Sequence, residues 1–585
     1  MPRTEVIVYG PATVLRPIKP VVRAASNYQS RGLAPYSVTP FENMTPKETP
    51  QVGKDRGDSG QRAECHGEAV TDVHRDLWEL FTRSAAAHPN REAVVSMWQT
   101  DLLESATNSS EQSLPQQALP DGQVPGCLRW TYESLLQRSE LLAHWLQAQG
   151  CGPGMRLVAS LWNSAEWALF FWVSVRTGMV FVPVDPRVLA TDPAGFLETT
   201  SPAVIVVQDA DAELSLRESA VPATEKAAVR ICCAETATPR WTSLSAIPDG
   251  SAAAASAAAA AAPERPPSRI NGIAQHSAKP SVSAADRTAL IIFTSGTTST
   301  PKGCLHTVGN LWSQTHDFDP NPPGHHDRWL VHTPVAHVFA VNNALRAWRN
   351  GDTVVFPSKT FDVQSTMRAL TEEKCTVMSA IPALVKALLA QPNFPSHDAL
   401  NLRYVTLGST IITDADIRLC RERLGSQWAI QAFGMSEGVP MVSWLRKDPL
   451  LKDGYHPGVG KALPGASIRI CAPESRKPLR RNEIGELHMG GPSVIRGYLH
   501  GLHKDSFYSD ESGHWLATGD QARIDDDGVL HIIGRYKDII IRAGENIPPI
   551  KIEVALAQIP GVVVSLTSSL LPLLTAHMLK LYRLK

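Results

Sequence analysis

Two apolar strands with an apolar helix between them limit this chain more than any other feature. The stretches "RLVASLW" and "GMVFVPVDP" read as buried strands, and "SAEWALFFWVSVRTG" between them reads as a helix. Strands alternating with helices indicate parallel α/β architecture. At 585 residues the chain is long enough for several domains and a large core. Hydrophobic residues make up 43% and charged residues 19%, as in ordinary globular proteins.

Charge and cysteine usage exclude some classes. The net charge of -1 points neither to nucleic acid nor to an anionic membrane as the main partner. The 9 cysteines are scattered without a C-x-x-C pair, which reads as reduced thiols in an intracellular protein without structural zinc. A cytoplasmic location is expected, with the mitochondrion and the peroxisome as alternatives. Arg3, Arg16, Lys19, Arg23 and Arg31 face a single acid, Glu5, near the start. That pattern suits a transit peptide or, the preferred reading, a disordered basic tail.

The chain divides unevenly. Residues 1–70 are polar and proline-rich and read as disordered. Residues 71–534 are expected to form one large domain. Insertions at about 100–128 and about 245–285 interrupt it, the second containing the low-complexity run "SAAAASAAAAAAPERPPSR". "DLWELFTRSAAAHP" and "TYESLLQRSELLAHWLQAQG" read as helices. In the second, Leu135, Ser139, Leu142 and Leu146 share a face and Gly150 ends the helix. Residues 535–585 are expected to form a hinge and a small, incomplete α+β domain.

The chemistry concentrates in "LIIFTSGTTSTPKG". Leu290, Ile291, Ile292 and Phe293 read as a buried strand, and Thr294 to Thr300 carry hydroxyls at every position except Gly296. Hydroxyls, backbone amides beside a glycine and the charge of Lys302 suit phosphate oxygens. The bland alternative is a polar loop after a core strand. The pattern is not G-x-x-x-x-G-K-[ST], because Lys302 precedes Gly303.

Further motifs follow in a fixed order: "PVAHVF", "LGST", "QAFGMSE", "TGD" and "GRYKDIIIRAGENIPPIKIE". The series resembles the adenylate-forming (AMP-binding) superfamily, which includes acyl-CoA synthetases, luciferase-like enzymes and peptide-synthetase adenylation domains. The resemblance runs from about Leu77 to about Gly561. It implies a large multi-sheet α/β N-terminal domain and a phosphate loop containing Thr294, Ser295, Gly296, Thr297, Thr298 and Lys302, with Ser299 where the family usually has glycine. It further implies His337 at the mouth of an acyl pocket, although a lone histidine is more often structural. Gly408, Ser409 and Thr410 would wrap adenine. Phe433 would stack on it beside Gly434, Ser436 would donate to phosphate, and Glu437 would hold Mg²⁺. Asp520 and Arg535 would meet the ribose, Lys537 would stand at the pivot, and Gly544 would line the pantetheine tunnel.

The implied function is ATP-dependent activation of a small carboxylic acid as an acyl-adenylate, with transfer to CoA or another pantetheine thiol. Lys302, Glu437 and His337 are the expected catalytic residues, and ATP, Mg²⁺ and CoA the expected cofactors and co-substrates. "HVFAVNN" lacks the aspartate expected for an α-amino acid, so an aryl or medium-chain acid of secondary metabolism is the expectation. From about Val563 the resemblance stops, and the family's Pro-Lys-x-x-x-Gly-Lys segment does not occur. Lys580 and Lys585 do not inherit its role. An altered exon boundary, a truncation and a membrane tail over Val562 to Leu579 are the readings of this stretch; Pro572, His577 and the Ser/Thr cluster oppose the last. The alternative function is a non-catalytic or half-catalytic nucleotide-binding remnant.

Overall fold

The computed structural model describes residues 62–70, 76–99, 126–219, 221–234, 240–247, 283–294, 301–316, 324–410, 412–451, 456, 458–473, 475–538, 540–542, 545–547, 562–568 and 578–583. Of the expected insertions at about 100–128 and about 245–285, residues 100–125 and 248–282 fall outside them.

The helix Ala165–Thr177 organises the rest. Ser164 Oγ accepts a hydrogen bond from Trp167 N at its start, and Gly178 ends it at φ 75°, a left-handed geometry that glycine adopts without strain. Every residue except Arg176 is buried. A helix apolar on all sides must be covered on all sides. A seven-stranded sheet covers one side: Phe181, on the strand Val180–Val184, lies 5.6 Å from Phe171 and 6.1 Å from Trp167, ring centre to ring centre. A nine-stranded sheet covers another, with Phe356 of Thr353–Phe356 set edge-on to Trp167 at 6.2 Å. The helix Leu77–Ala87 closes a third, where Phe81 stacks on Trp172 at 4.2 Å.

In the seven-stranded sheet, Lys302–Thr307 pairs antiparallel with Thr288–Thr294, followed in spatial order by Val180–Val184, Arg156–Ser160, Val204–Val207, Val229–Cys232 and Thr242–Ser243, all parallel. The nine-stranded sheet is built around six parallel neighbours: Trp428–Met435, Tyr404–Leu407, Val377–Ala380, Arg328–Leu330, Thr353–Phe356 and Glu92–Ser96. The strands and helices read around "SAEWALFFWVSVRTG" are therefore present with the parallel order that alternation implies. The helix Tyr132–Ala148 likewise buries Leu135, Ser139, Leu142 and Leu146.

A third sheet of six strands is wholly antiparallel. Its edge strand is Glu64–His66, paired with Ser467–Cys471, and Ala63 beside it is fully buried. The disordered reading of residues 1–70 is thus corrected for residues 62–70. A three-residue strand is too short for composition to reveal, and its partner lies some 400 residues away. Beyond this sheet, Ile540–Arg542 pairs antiparallel with Glu545–Ile547 across "RAGEN". Val562–Ser568 pairs antiparallel with Met578–Arg583. The membrane-tail reading is corrected at its start, which is strand. No helix among the described residues is long and apolar enough to cross a membrane. All 9 cysteines are free.

Trp167 touches both large sheets, so Trp167→Ala should cost about 3–5 kcal/mol, the usual range for a large aromatic deleted from a packed core. The apparent urea midpoint should fall accordingly. A midpoint equal to that of the parent chain would show that the sheets do not depend on this helix.

Candidate active site

Lys302 opens the edge strand of the seven-stranded sheet, directly opposite Thr294. Strand alternation puts Lys302, Cys304 and His306 on one face, and Cys304 and His306 are fully buried. Cys304 forms a β-bridge with Tyr498, so the edge strand pulls Tyr498 against the sheet. The Lys302 ammonium lies 5.5 Å from the centre of the Tyr498 ring, a cation–π contact. The Tyr498 hydroxyl donates to Glu437 Oε1 at 2.6 Å. Lys302, Tyr498 and Glu437 therefore form one cluster drawn from three distant stretches of chain.

Glu437 is 5% exposed. Burial raises its carboxyl pKa above the ordinary value, while the Tyr498 hydrogen bond and the charges of Lys302 and Arg535 pull it back. Two tethers fix its strand. Ile495 N donates to Glu437 O at 2.9 Å. His306 Nε2 lies 2.8 Å from the Ser436 carbonyl, and Nδ1 lies 3.3 Å from the Gln314 amide nitrogen. A carbonyl can only accept, so Nε2 carries the proton and Nδ1 accepts from Gln314. Burial pushes the His306 pKa down to about 4 and keeps the ring neutral.

Gly434 faces the same space. A Cβ there would lie 2.7 Å from Val439 Cγ2 and 2.9 Å from Gly438 O, so no side chain fits without moving backbone. Gly408 is nearly as tight, with Ala432 O at 3.0 Å from an added Cβ. Ser409 follows it at φ 62°, in the left-handed region.

These residues open onto a cavity of about 710 Å³. It runs over one face of the nine-stranded sheet, where in-register alternate residues Trp329, Val377, Tyr404, Ser379, Thr406 and Ile430 form the floor. The helix Val338–Arg349 forms the opposite wall. His337, the residue before that helix, lies at the cavity with its pKa lowered by desolvation. Among the described residues, the buried Thr294 Oγ1 has no hydrogen-bond partner although it borders the cavity.

The antiparallel pairing of Gly513–Ile524 with Leu530–Arg535 sets Asp520 opposite Arg535. Arg535 Nε donates to Asp520 Oδ1 at 2.9 Å. Asp520 is buried, and burial raises its pKa against the opposing charge of Arg535. Arg535 and Lys537 both reach the cavity.

Of the sequence-predicted residues, the cavity brings together Thr294, Lys302, His337, Gly408, Ser409, Gly434, Ser436, Glu437, Arg535 and Lys537. Asp520 sits behind Arg535, and Thr410 is exposed next to Ser409. Phe433 is not among the residues lining the cavity; it packs, half-buried, against the core of the six-stranded sheet, on a strand whose pairing is irregular between Phe433 and Met435. Ser295, Gly296, Thr297, Thr298 and Gly544 lie outside the described residues. Sequence reasoning missed Tyr498 and His306. His306 had a signal, two alternations beyond Lys302 in a strand; Tyr498 had none, since its partner Glu437 is 61 residues away.

The comparisons agree with this geometry. Residues 81–499 match the family model described as AMP-binding enzyme, and the chain belongs to that family. It is 26% identical over 507 residues to an acyl–CoA ligase of Pestalotiopsis microspora, covering 83% of this chain and 82% of that protein. It is 28% identical over 436 residues to the indoleacetate–CoA ligase of Aromatoleum aromaticum, covering 74% and 78%. The fold is similar to that of ATP-bound MatB from Rhodopseudomonas palustris, with a TM-score of 0.63 at 23% identity, covering 84% of this chain and 85% of that one.

The neutral His306 makes stability depend on pH. Its pKa in the folded chain, about 4, lies below the ordinary 6.5, so between these values the unfolded chain binds the extra proton. The contribution is full above pH 6.5 and is lost as pH falls toward 4, by on the order of 3 kcal/mol in all. His306→Gln keeps a donor for Ser436 and cannot titrate. The gap between the two thermal midpoints should therefore stay constant above pH 6.5 and shift in favour of the variant as pH falls toward 4, with the variant showing the shallower slope. Identical slopes would show that His306 takes up its proton alike in the folded and the unfolded chain.

Proposed function

We propose that this chain is an acid–CoA ligase: it joins a carboxylic acid to the α-phosphate of ATP and passes the acyl group to a pantetheine thiol such as CoA. The convergence of Lys302, Glu437 and Arg535 on one cavity carries this reading. Family membership and the ligase names of its relatives support it.

In the first step a substrate carboxylate oxygen attacks the α-phosphorus, pyrophosphate leaves, and an acyl-adenylate forms. Negative charge builds on the phosphoryl oxygens, where fixed cations and donors lower the barrier most. Lys302 supplies the charge, held over the Tyr498 ring rather than free in solvent. The unpartnered Thr294 hydroxyl and the Ser436 hydroxyl supply donors at the same wall. Arg535 and Asp520 suit the ribose, one as donor and one as acceptor. In the second step the thiolate attacks the acyl carbonyl and AMP leaves. No protein nucleophile is needed. Lys537, at the cavity edge, is assigned to the pivot between the steps, and the large and small domains are assigned to either side of it.

Glu437 fits Mg²⁺. Its buried carboxylate is a hard oxygen ligand, and a single carboxylate suits an ion that keeps most of its bonds to phosphates and water. No group of three ligating side chains occurs among the described residues, consistent with an ion carried in on the nucleotide. When bound, Mg²⁺ neutralises phosphate charge; Glu437 would hold it and Tyr498 would orient Glu437.

The acid is assigned to the class without an α-ammonium. The helix wall presents Asn342, Asn343 and Arg346, not an acid. Asp327, at the far end of the cavity, is already bonded to Arg403 at 2.8 Å and to Thr376 at 2.7 Å. An aryl or medium-chain acid of secondary metabolism is the substrate proposed.

Lys302→Ala should lower adenylation by about 10²- to 10³-fold, by analogy with the loss of one oxyanion donor. Acid-dependent exchange of labelled pyrophosphate into ATP measures this step, and an unchanged rate would remove Lys302 from the reaction. The half-reactions separate the alternative. A chain that turns over synthetic acyl-adenylate plus CoA but not acid plus ATP is half-catalytic, and one inactive in both is a binding protein.

A further inference from the structure

Two polar side chains in the cavity have no partner among the described residues, and they come from opposite walls. Asn343 sits on the helix Val338–Arg349 and Ser379 on the strand Val377–Ala380. They are 5% and 4% exposed, and both line the cavity. Neither belongs to the fully enclosed groups without partners, so their polar atoms open onto the cavity itself. The neighbouring Asn342 is different: its Nδ2 donates to Gln314 O and Val439 O, both at 3.1 Å, and so serves the fold.

Their position along the cavity locates the group they would meet. Tyr404 opens the strand Tyr404–Leu407 and Gly408 directly follows it, four residues on, so the floor spans about 13 Å at ~3.3 Å per residue. Ser379 is in register with Thr406, halfway along that span. The walls around this midpoint are apolar: Val377 and Ile430 on the floor and Val338 on the helix. Trp329 closes the far end, with Arg346 5.6 Å from its ring centre.

A plain alkyl or aryl body lying here would cover an amide and a hydroxyl without pairing them. Unpaired buried polar groups are costly, and sites built around them reject substrates that lack the matching group. We infer that the acid carries a neutral hydrogen-bonding substituent, a hydroxyl or a carbonyl, partway along its body, and that Asn343 and Ser379 select for it. This deepens the ligase reading and rests on it only for the identity of the reacting end.

Matched pairs of acids test the inference: cinnamic against 3- and 4-hydroxycinnamic acid, and octanoic against octanoic acids hydroxylated at successive carbons. Each is assayed for kcat/KM in pyrophosphate exchange and for binding by calorimetry in the presence of AMP. The hydroxylated member of at least one pair should be preferred by about tenfold or more in both assays. Asn343→Leu should level that pair, weakening the hydroxylated acid and improving the plain one, chiefly through KM; Ser379→Ala gives a second reading if the first variant does not fold. Equal treatment of every pair by the parent chain, or a preference unchanged in both variants, would overturn the inference. Discrimination in calorimetry without turnover would uphold the selective pocket while removing the ligase reading. Turnover without discrimination would do the reverse.

Discussion

The fully buried helix Ala165–Thr177 holds two sheets together. Its rings interlock with Phe181 on one sheet and Phe356 on the other, and neither sheet can shift without opening that packing. Close-packed interiors transmit such constraints because they have little free volume. The strand that ends at Thr294 belongs to the first sheet; Gly434 lies on a strand of the second, Gly408 directly follows another strand of it, and Glu437 sits in the turn after the Gly434 strand. The relative position of Thr294, Gly408, Gly434 and Glu437 is therefore set in a hydrophobic core that these four do not enter, although Trp329, Val338 and Val377 of the cavity wall belong to it.

A second layer of constraint is polar. The helix Val308–Gln314 follows the Lys302 strand, and Asn310 Nδ2 donates to Pro492 O and Val494 O at 2.8 and 3.0 Å. Gln314 donates to Ser493 O at 2.7 Å while also reaching His306. The loop held in this way delivers Ile495 to the Glu437 backbone and Tyr498 to its carboxylate. Neutral donors and acceptors make the bonds from Asn310, Gln314 and Ile495, so the backbone around Glu437 is positioned without further charge, while Arg535 is held by its ion pair with Asp520.

The local elements were largely legible in the sequence. Apolar strands, capped helices and the hairpin at "RAGEN" follow from period, capping residues and glycine, which act within a few residues. The order of motifs located ten of the residues that meet in the cavity. What could not be read arises from pairing across the chain. Glu64–His66 is a strand only because Ser467–Cys471 lies beside it. Tyr498 is a partner of Glu437 only because Cys304 bridges to it.

The two ends of the cavity are built from different kinds of element. Strand termini and their backbone contacts, where Gly434 admits no side chain and Gly408 is nearly as tight, form the end bordered by Lys302 and Glu437. The far side is walled by one helix, Val338–Arg349, whose cavity-facing positions are side chains rather than backbone. Change is costly at the first and cheap at the second. On the ligase reading proposed above, the molecule is a fixed centre with an exchangeable fitting: a lineage could move from one acid to another by substitutions among the 12 residues of that helix and at Ser379 across from it, leaving the residues around Lys302 and Glu437 untouched.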